Sequence, residues 1–157
     1  MKLIAALLAL FLLFIFPQRI STDLEHLRIY YFEICEIGNA TPANYIITIP
    51  SWLSIEHRAQ VVFSQIFNNI TPEKMVFSPQ NVQILDIFFH REYAHLVVNV
   101  SADVLSYGGT AFEHYFVEKL LLNVTALGQV GTFTLLIEGE AKHLPEGILL
   151  YQVQLMK

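Results

Sequence analysis

The sequence is poor in the residue types that most directly signal chemistry. Its 157 residues include a single cysteine, Cys35, so an intramolecular disulfide and a cysteine-rich zinc site are both excluded. Lys and Arg number 9 against 14 Asp and Glu, they form no run, and the formal net charge is −5. Domains that bind nucleic acid usually present a clustered basic face, so this composition predicts no nucleic-acid partner.

Catalytic and metal-binding motifs are also missing. The six histidines form neither an H-x-x-x-H nor an H-E-x-x-H pattern. The chain has no G-x-S-x-G motif and no glycine-rich phosphate loop after a strand. Paired carboxylates such as Glu138 and Glu140 lie in turn-like stretches, whereas acid–base catalysis needs a carboxyl group with a shifted pKa in a cleft. We therefore predict no catalytic residue, no metal ligand, no cofactor and no enzymatic activity.

What the sequence does contain is an apolar run at its start, from Leu3 through Phe16, behind Lys2. This pattern is typical of an export signal. As a helix the run would span only about 21 Å at ~1.5 Å per residue, short of a ~30 Å hydrocarbon core, but snorkelling of Lys2 and Arg19 can make up the difference. No small-residue cleavage site follows Phe16 directly, which favours an uncleaved signal anchor narrowly over a cleaved signal peptide.

Both outcomes place the remainder of the chain outside the cytoplasm. We therefore divide the protein into a signal anchor or signal peptide at residues 1–20 and a single domain at residues 21–157. The domain is attached to the cell membrane through residues 3–16 if the signal remains, and secreted if it is removed.

A β-hairpin and a helix form the centre of the predicted domain. Residues 82–89 and 94–100 alternate in the manner of two strands, and pairing Phe89 with Ala94 gives the hairpin one apolar face. That face contains Leu85, Ile87, Phe89, Leu96, Val98 and Val100. The opposite face contains Ile84, Phe88 and Val97 among polar residues. We predict that these three form an interaction surface.

The helix follows Tyr107-Gly108-Gly109. Thr110 stands three residues before Glu113, a spacing that predicts a capping box in which each side chain bonds the other residue's amide. Gly108 and Gly109 are assigned to the turn before it. The helix also has an apolar stripe with spacings of three and four, which is expected to cover the hairpin: Phe112, Phe116, Leu120, Val124 and Leu127.

The rest of the chain predicts two strands and a helix before the hairpin and two strands after the second helix. The first helix has a wide apolar stripe with Trp52 packed at its entrance: Ile55, Ala59, Val62, Phe63, Ile66, Phe67 and Ile70. The last strand is expected within residues 148–155. The predicted fold is α+β in the order ββαββαββ, a mainly antiparallel sheet with both helices on one face.

Several short motifs in one order resemble the GerM-type domains of sporulation and spore germination proteins, over about residues 27–150. They are Tyr30-Tyr31-Phe32, Val98-Asn99-Val100-Ser101, Asp103 through Gly109, Glu113, Asn123-Val124-Thr125-Ala126-Leu127 and Leu136-Ile137-Glu138-Gly139-Glu140. The resemblance implies an extracytoplasmic, usually anchored module of Gram-positive bacteria, related in fold to ring-building domains and without established catalytic residues.

Two functions follow as hypotheses. In the first, the protein is a non-enzymatic envelope component that contacts other sporulation or envelope proteins, or further copies of itself, during sporulation or germination. In the second, it is a cell-wall glycan-binding module or weak hydrolase. That second function requires a groove where acids and aromatics converge, with Tyr30, Glu33, Asp103 and Tyr107 as the candidates.

Overall fold

The computed structural model describes residues 23–35, 39–68 and 77–155. The leading apolar run, and Ile70 of the first helical stripe, lie outside these residues. The described elements are β1 (Leu24–Cys35), β2 (Asn39–Pro50), α1 (Ile55–Phe67), β3 (Ile84–His90), β4 (His95–Val100), α2 (Thr110–Ala126), β5 (Thr132–Ile137) and β6 (Val153–Gln154). The predicted α+β class and the order ββαββαββ are confirmed.

The strands form two sheets. β1 and β2 pair alone as a long antiparallel hairpin, from Leu24 opposite Pro50 to Cys35 opposite Asn39. The other four strands lie in the order β3-β4-β5-β6. Within this second sheet, β4 and β5 are parallel because α2 carries the chain back across the sheet between them. The remaining pairs are antiparallel.

One hydrophobic core joins both sheets and both helices. α1 begins after Ser54, whose Oγ accepts a hydrogen bond from the His57 amide at 3.4 Å. The predicted apolar stripe of α1 is buried over the described residues. α1 packs against β3. α2, expected to cover the β3–β4 hairpin, packs mainly against β1 instead. Aromatic rings join the layers, with Phe63 against Phe133 and Phe67 against Phe116 at centroid distances of 6.0 and 6.2 Å.

The β3–β4 hairpin differs from its predicted register by two residues. Phe89 pairs with Leu96, and a four-residue turn precedes β4. A shift of two leaves each side chain on the same face, so the buried positions in β4 are the predicted ones, namely Leu96, Val98 and Val100. A β-bulge between Ile84 and Asp86 reverses the pattern at the start of β3.

The chain after β5 is less regular than predicted. Glu138 and Gly139, at φ 53° and 80°, form the expected turn, with the Ile137 amide bonded to the Glu140 carbonyl at 2.8 Å. Within residues 148–155, only Val153 and Gln154 form a strand, opposite Phe133 and Thr132. Gln152 at φ 51° interrupts the ladder, and its amide bonds the Thr134 Oγ1 at 2.9 Å.

Candidate functional site

The outer face of the four-stranded sheet presents apolar side chains to solvent. Phe88 on β3 lies opposite Val97 on β4, and Phe88 is 50% exposed. A shallow depression of about 100 Å³ between the strands is lined by Asp86, Phe88, Val97, Asn99 and Leu136. The His90 ring stands edge-on to Phe88 at a centroid distance of 4.4 Å. The surface formed by Phe88, Val97 and Leu136 is hereafter the outer sheet surface.

Ile84 does not belong to this surface, although the alternation along β3 assigned it there. The bulge turns Ile84 toward the protein interior, where it packs against the core. Leu85, predicted to face the core, is instead 45% exposed. One extra residue in a strand reverses the facing of everything before it, and the alternation of apolar residues does not show where a bulge lies. Phe88 and Val97 remain together as predicted.

His95 supports the outer sheet surface from its edge. Its Nε2 lies 2.9 Å from Thr134 Oγ1 on β5, and Thr134 is buried. Burial lowers the pKa of His95, with a smaller contribution from the nearby His90. Within residues 23–35, 39–68 and 77–155, no three His, Cys, Asp or Glu side chains converge in a way that could hold a metal ion.

The predicted capping box between Thr110 and Glu113 does not form, and the N-terminus of α2 is held by other interactions. Thr110 is the first residue of α2, and the capping residue is Gly109 at φ 102°, directly after Gly108. Glu146, from the turn near the C-terminus, caps the helix: its carboxylate accepts from the Gly109 amide at 2.7 Å and from Thr110 Oγ1 at 3.3 Å. Anionic groups are favourable at a helix N-terminus, which explains the position of Glu146.

Glu113, on α2, bonds in return to the turn at residues 145–148. Its side chain is fully buried, and its carboxylate accepts from the amides of Glu146 at 2.7 Å and Ile148 at 2.9 Å. The Tyr107 hydroxyl donates to it at 3.2 Å. Burial, and then the charge of Glu113, raise the pKa of Tyr107. The capping-box spacing does not reveal these partners because they lie more than thirty residues further along the chain.

Lys119 and Ser78 form a buried pair that the sequence motifs did not indicate. Lys119 on α2 donates to Ser78 Oγ, which in turn donates to the Ile66 carbonyl at 2.8 Å. Burial lowers the pKa of Lys119 to about 7. A serine beside a lysine whose pKa is lowered by burial is the pairing of Ser–Lys hydrolases. Here both side chains are buried, and the cavity beside Lys119 measures about 10 Å³, room for a water molecule at most.

Lys119 and Asn123 could have been identified from helical spacing. Each lies three residues after a member of the apolar stripe, Phe116 and Leu120, and therefore faces the interior. Asn123 Oδ1 accepts from the Tyr30 amide at 3.0 Å, and its Nδ2 donates to the Tyr30 carbonyl at 2.9 Å. This side chain thus joins α2 to the edge of β1 as a neighbouring strand would.

The residues proposed for a glycan groove do not converge. Tyr30 and Glu33 lie on β1, and the Tyr30 backbone is held by Asn123. Tyr107 stacks on Phe112 at a centroid distance of 4.6 Å, and Asp103 accepts from the Ser101 hydroxyl at 2.8 Å. Two larger cavities, of about 470 and 420 Å³, are lined by other residues.

The fold places the chain among compact α+β domains in which two helices pack with antiparallel hairpins. Among solved structures it is similar to the first GerMN domain of the sporulation protein GerM from Bacillus subtilis, with a TM-score of 0.56 and 13% identity over 85% of this chain and 97% of that one. The predicted likeness to GerM-type domains is therefore confirmed at the level of the fold.

Two further structures are similar. The tandem GerMN domains of the same protein give a TM-score of 0.60 at 14% identity over 85% of this chain, which spans 46% of the tandem. A candidate lipoprotein from Clostridium perfringens gives 0.52 at 11% identity, over 79% of this chain and 81% of that one. No family model and no curated protein matches the sequence. Within the described residues, no helix is long and apolar enough to cross a membrane.

Proposed function

We propose that this protein is a non-enzymatic envelope protein of the sporulation or germination type, exported or anchored through residues 3–16, that acts by contacting other proteins. The similar structures support this proposal, since two come from a sporulation protein and one from a candidate lipoprotein. The apolar run behind Lys2 supports export. The partners are other envelope or sporulation proteins, or further copies of this chain.

The observation on which the proposal rests is the outer sheet surface. An exposed phenylalanine beside a partly exposed valine and leucine is unfavourable in water unless another surface covers it. Asp86 and Asn99 border the apolar centre with polar groups, which is the composition expected for a protein contact.

The test is crosslinking in cells that express the full-length chain with Phe88→Glu and Val97→Lys. Charging these side chains should abolish recovery of the partner, because strongly hydrated charged groups at the apolar centre of a contact would have to give up their water when the partner binds. The matched control is Ile46→Lys on β2, also well exposed at 58%, which should leave recovery unchanged. If the charged variant recovers as much partner as the unmodified protein, and circular dichroism shows equal amounts of folded protein, the outer sheet surface is not the contact.

Attachment to the membrane is tested separately by fractionation and an intact-mass measurement of the N-terminus. Retention in the membrane with residues 3–16 present supports the anchor. A new N-terminus near Ser21 on protein outside the membrane would instead show a secreted domain.

The absence of enzymatic activity has its own experiment. Purified protein is incubated with cell-wall peptidoglycan, and released fragments are measured beside a Ser78→Ala variant. No release above the buffer level is expected. Release that disappears in the Ser78→Ala variant would contradict the proposal and would make the Lys119–Ser78 pair catalytic.

A further inference from the structure

Trp52, the single tryptophan of the chain, is held in solvent and not packed at the entrance of α1 as its position predicts. It lies in the turn between β2 and α1, and 63% of it is exposed. Beside it is a cavity of about 470 Å³, within the range of small-molecule sites. The cavity is lined by Trp52, Leu53, Ser54, Ile55, Phe89, Arg91 and Gln129.

The turn that presents Trp52 is rigidly supported. The Arg58 guanidinium donates to the carbonyls of Ser51 at 2.8 Å and Leu53 at 3.0 Å, on both sides of the tryptophan. The same guanidinium forms an ion pair with Glu25 on β1 at 2.7 Å. The Leu53 amide also bonds the Pro50 carbonyl at 3.2 Å. The backbone that presents the indole is therefore held in place, and binding there would require little ordering of the turn.

The lining of the cavity combines an apolar floor with a polar rim. Ile55 and Phe89 belong to the buried core and form the floor. The side chains of Arg91 and Gln129, on the rim, make no hydrogen bond to another residue in the described part of the chain. The charge of Arg91 contributes to lowering the pKa of Glu56, so the positive charge on the rim is partly offset by a carboxylate.

We propose that this cavity binds a neutral saccharide chain, with one sugar ring lying on the Trp52 indole and its polar substituents bonded to Arg91 and Gln129. A sugar ring has an apolar C–H face and a polar edge, which match the indole and the rim. A purely apolar side chain would leave Arg91 and Gln129 without partners. The charge of Arg91 already interacts with the carboxylate of Glu56, which makes a strongly anionic ligand less favourable than a neutral one. The site is separate from the outer sheet surface, so the inference goes beyond the proposed function.

The experiment uses the tryptophan fluorescence of the full chain, excited at a wavelength that tyrosine does not absorb, so that it reports on Trp52 alone. Neutral N-acetylglucosamine oligomers are the probe, with oligomers that also contain N-acetylmuramic acid to compare an acidic glycan and malto-oligosaccharides to compare a glycan without acetamido groups. We expect a saturable shift of emission to shorter wavelength with the neutral amino-sugar oligomers. Arg91→Ala and Gln129→Ala should each weaken that binding about tenfold, the loss of one good hydrogen bond to a ligand.

Two control variants keep the test specific. Arg28→Ala and Gln60→Ala remove exposed side chains of the same types elsewhere and should leave the titration unchanged. Trp52→Phe, followed by calorimetry, should weaken binding while the protein stays folded. The proposal is overturned if no saccharide gives a saturable response, if Arg91→Ala and Gln129→Ala bind normally, or if only peptides respond. Saccharide binding should persist in the Phe88→Glu, Val97→Lys variant, which separates this result from a failure of the proposed protein contact.

Discussion

Both helices contribute apolar side chains to one core, but they are held there by different interactions. The buried residues of α1 are all apolar: Ile55, Ala59, Val62, Phe63, Ile66 and Phe67. α2 buries Phe116, Leu120 and Val124, and with them Glu113, Lys119 and Asn123. Each of these three polar side chains bonds a different segment of the chain: the turn at Glu146, Ser78 and the edge of β1 at Tyr30.

Apolar burial and buried hydrogen bonds contribute to the structure in different ways. Apolar burial is non-directional and scales with area, so the stripe of α1 sets how much stability is gained but not a unique orientation. Buried hydrogen bonds act only at defined distances and angles, and a lost partner is costly. The polar groups of α2 therefore define where β1, Ser78 and the turn at residues 145–148 lie relative to the helix.

The largest expected effect is one that the two helices share. Phe63→Ala in α1 and Phe116→Ala in α2 should each lower the free energy of unfolding by about 3–5 kcal/mol, because both rings are fully buried and leave a cavity. Urea unfolding measures both. A loss under about 1 kcal/mol for either variant would show that its helix is not part of the common core.

Asn123→Ala should be the next most damaging change and has no counterpart in α1. It removes the side chain that bonds both the amide and the carbonyl of Tyr30, leaving two backbone groups without those partners at a cost of about 2–4 kcal/mol. Hydrogen exchange should show faster exchange of the Tyr30 amide. The control is Asn68→Ala, at the exposed end of α1, which should change stability by less than about 0.5 kcal/mol.

Glu113→Gln tests the carboxylate that holds the turn at residues 145–148. The amide keeps the shape but loses the charge that strengthens the bonds from Glu146 and Ile148, so we expect a loss of about 2 kcal/mol. Glu56→Gln in the first turn of α1 is the matched change and should cost under about 1 kcal/mol. Equal losses in thermal unfolding would mean that Glu113 does not hold the turn.

Lys119→Met should have the smallest effect at neutral pH, within about 1 kcal/mol, because replacing a buried ionisable group with an apolar one of similar size is often neutral or stabilising. The contrast is in the pH dependence. The pKa of Lys119 is about 7 when folded against 10.5 ordinarily, so the folded state binds fewer protons between these values. Stability of the natural protein should therefore rise from about pH 7 to about pH 9.5.

The measurement is urea unfolding across that range for both proteins. In the Lys119→Met variant the rise should be absent, and an unchanged rise would assign the dependence to another group. Above about pH 10 the raised pKa of Tyr107 has the opposite effect on stability. The folded state retains a proton that the unfolded state loses, so the free energy of unfolding falls as the pH rises. Data taken below that pH therefore separate the effect of Lys119 from that of Tyr107.

The elements were predictable where the interactions are local and periodic. The stripe of α1 and the buried face of β4 follow from spacings of three to four and of two, since a surface facing the core must be apolar. The predicted register of the β3–β4 hairpin was wrong by two residues because such a shift preserves both faces. The bulge at Ile84 and Asp86, which removed Ile84 from the predicted surface, leaves no mark in the alternation of apolar residues.

The polar interactions were predictable only in part. Phe88 and Val97 share the outer sheet surface because their facing depends on strand alternation alone. Glu113 was identified as important, but the partners assigned to it were local, whereas the real ones come from Glu146 and Ile148. Trp52 was expected to pack and is exposed, since the position of a turn residue depends on what Arg58 bonds around it.

The amino-acid sequence by itself therefore determined the α+β class, the order of elements and the faces turned to the core, because these depend on the period of apolar residues along the chain. Only the tertiary structure decided the division into two sheets, the partners of Glu113, Lys119 and Asn123, and the exposure of Trp52. The physical reason is that a hydrogen bond between distant segments depends on where the whole core brings them, and no spacing along the chain encodes that distance.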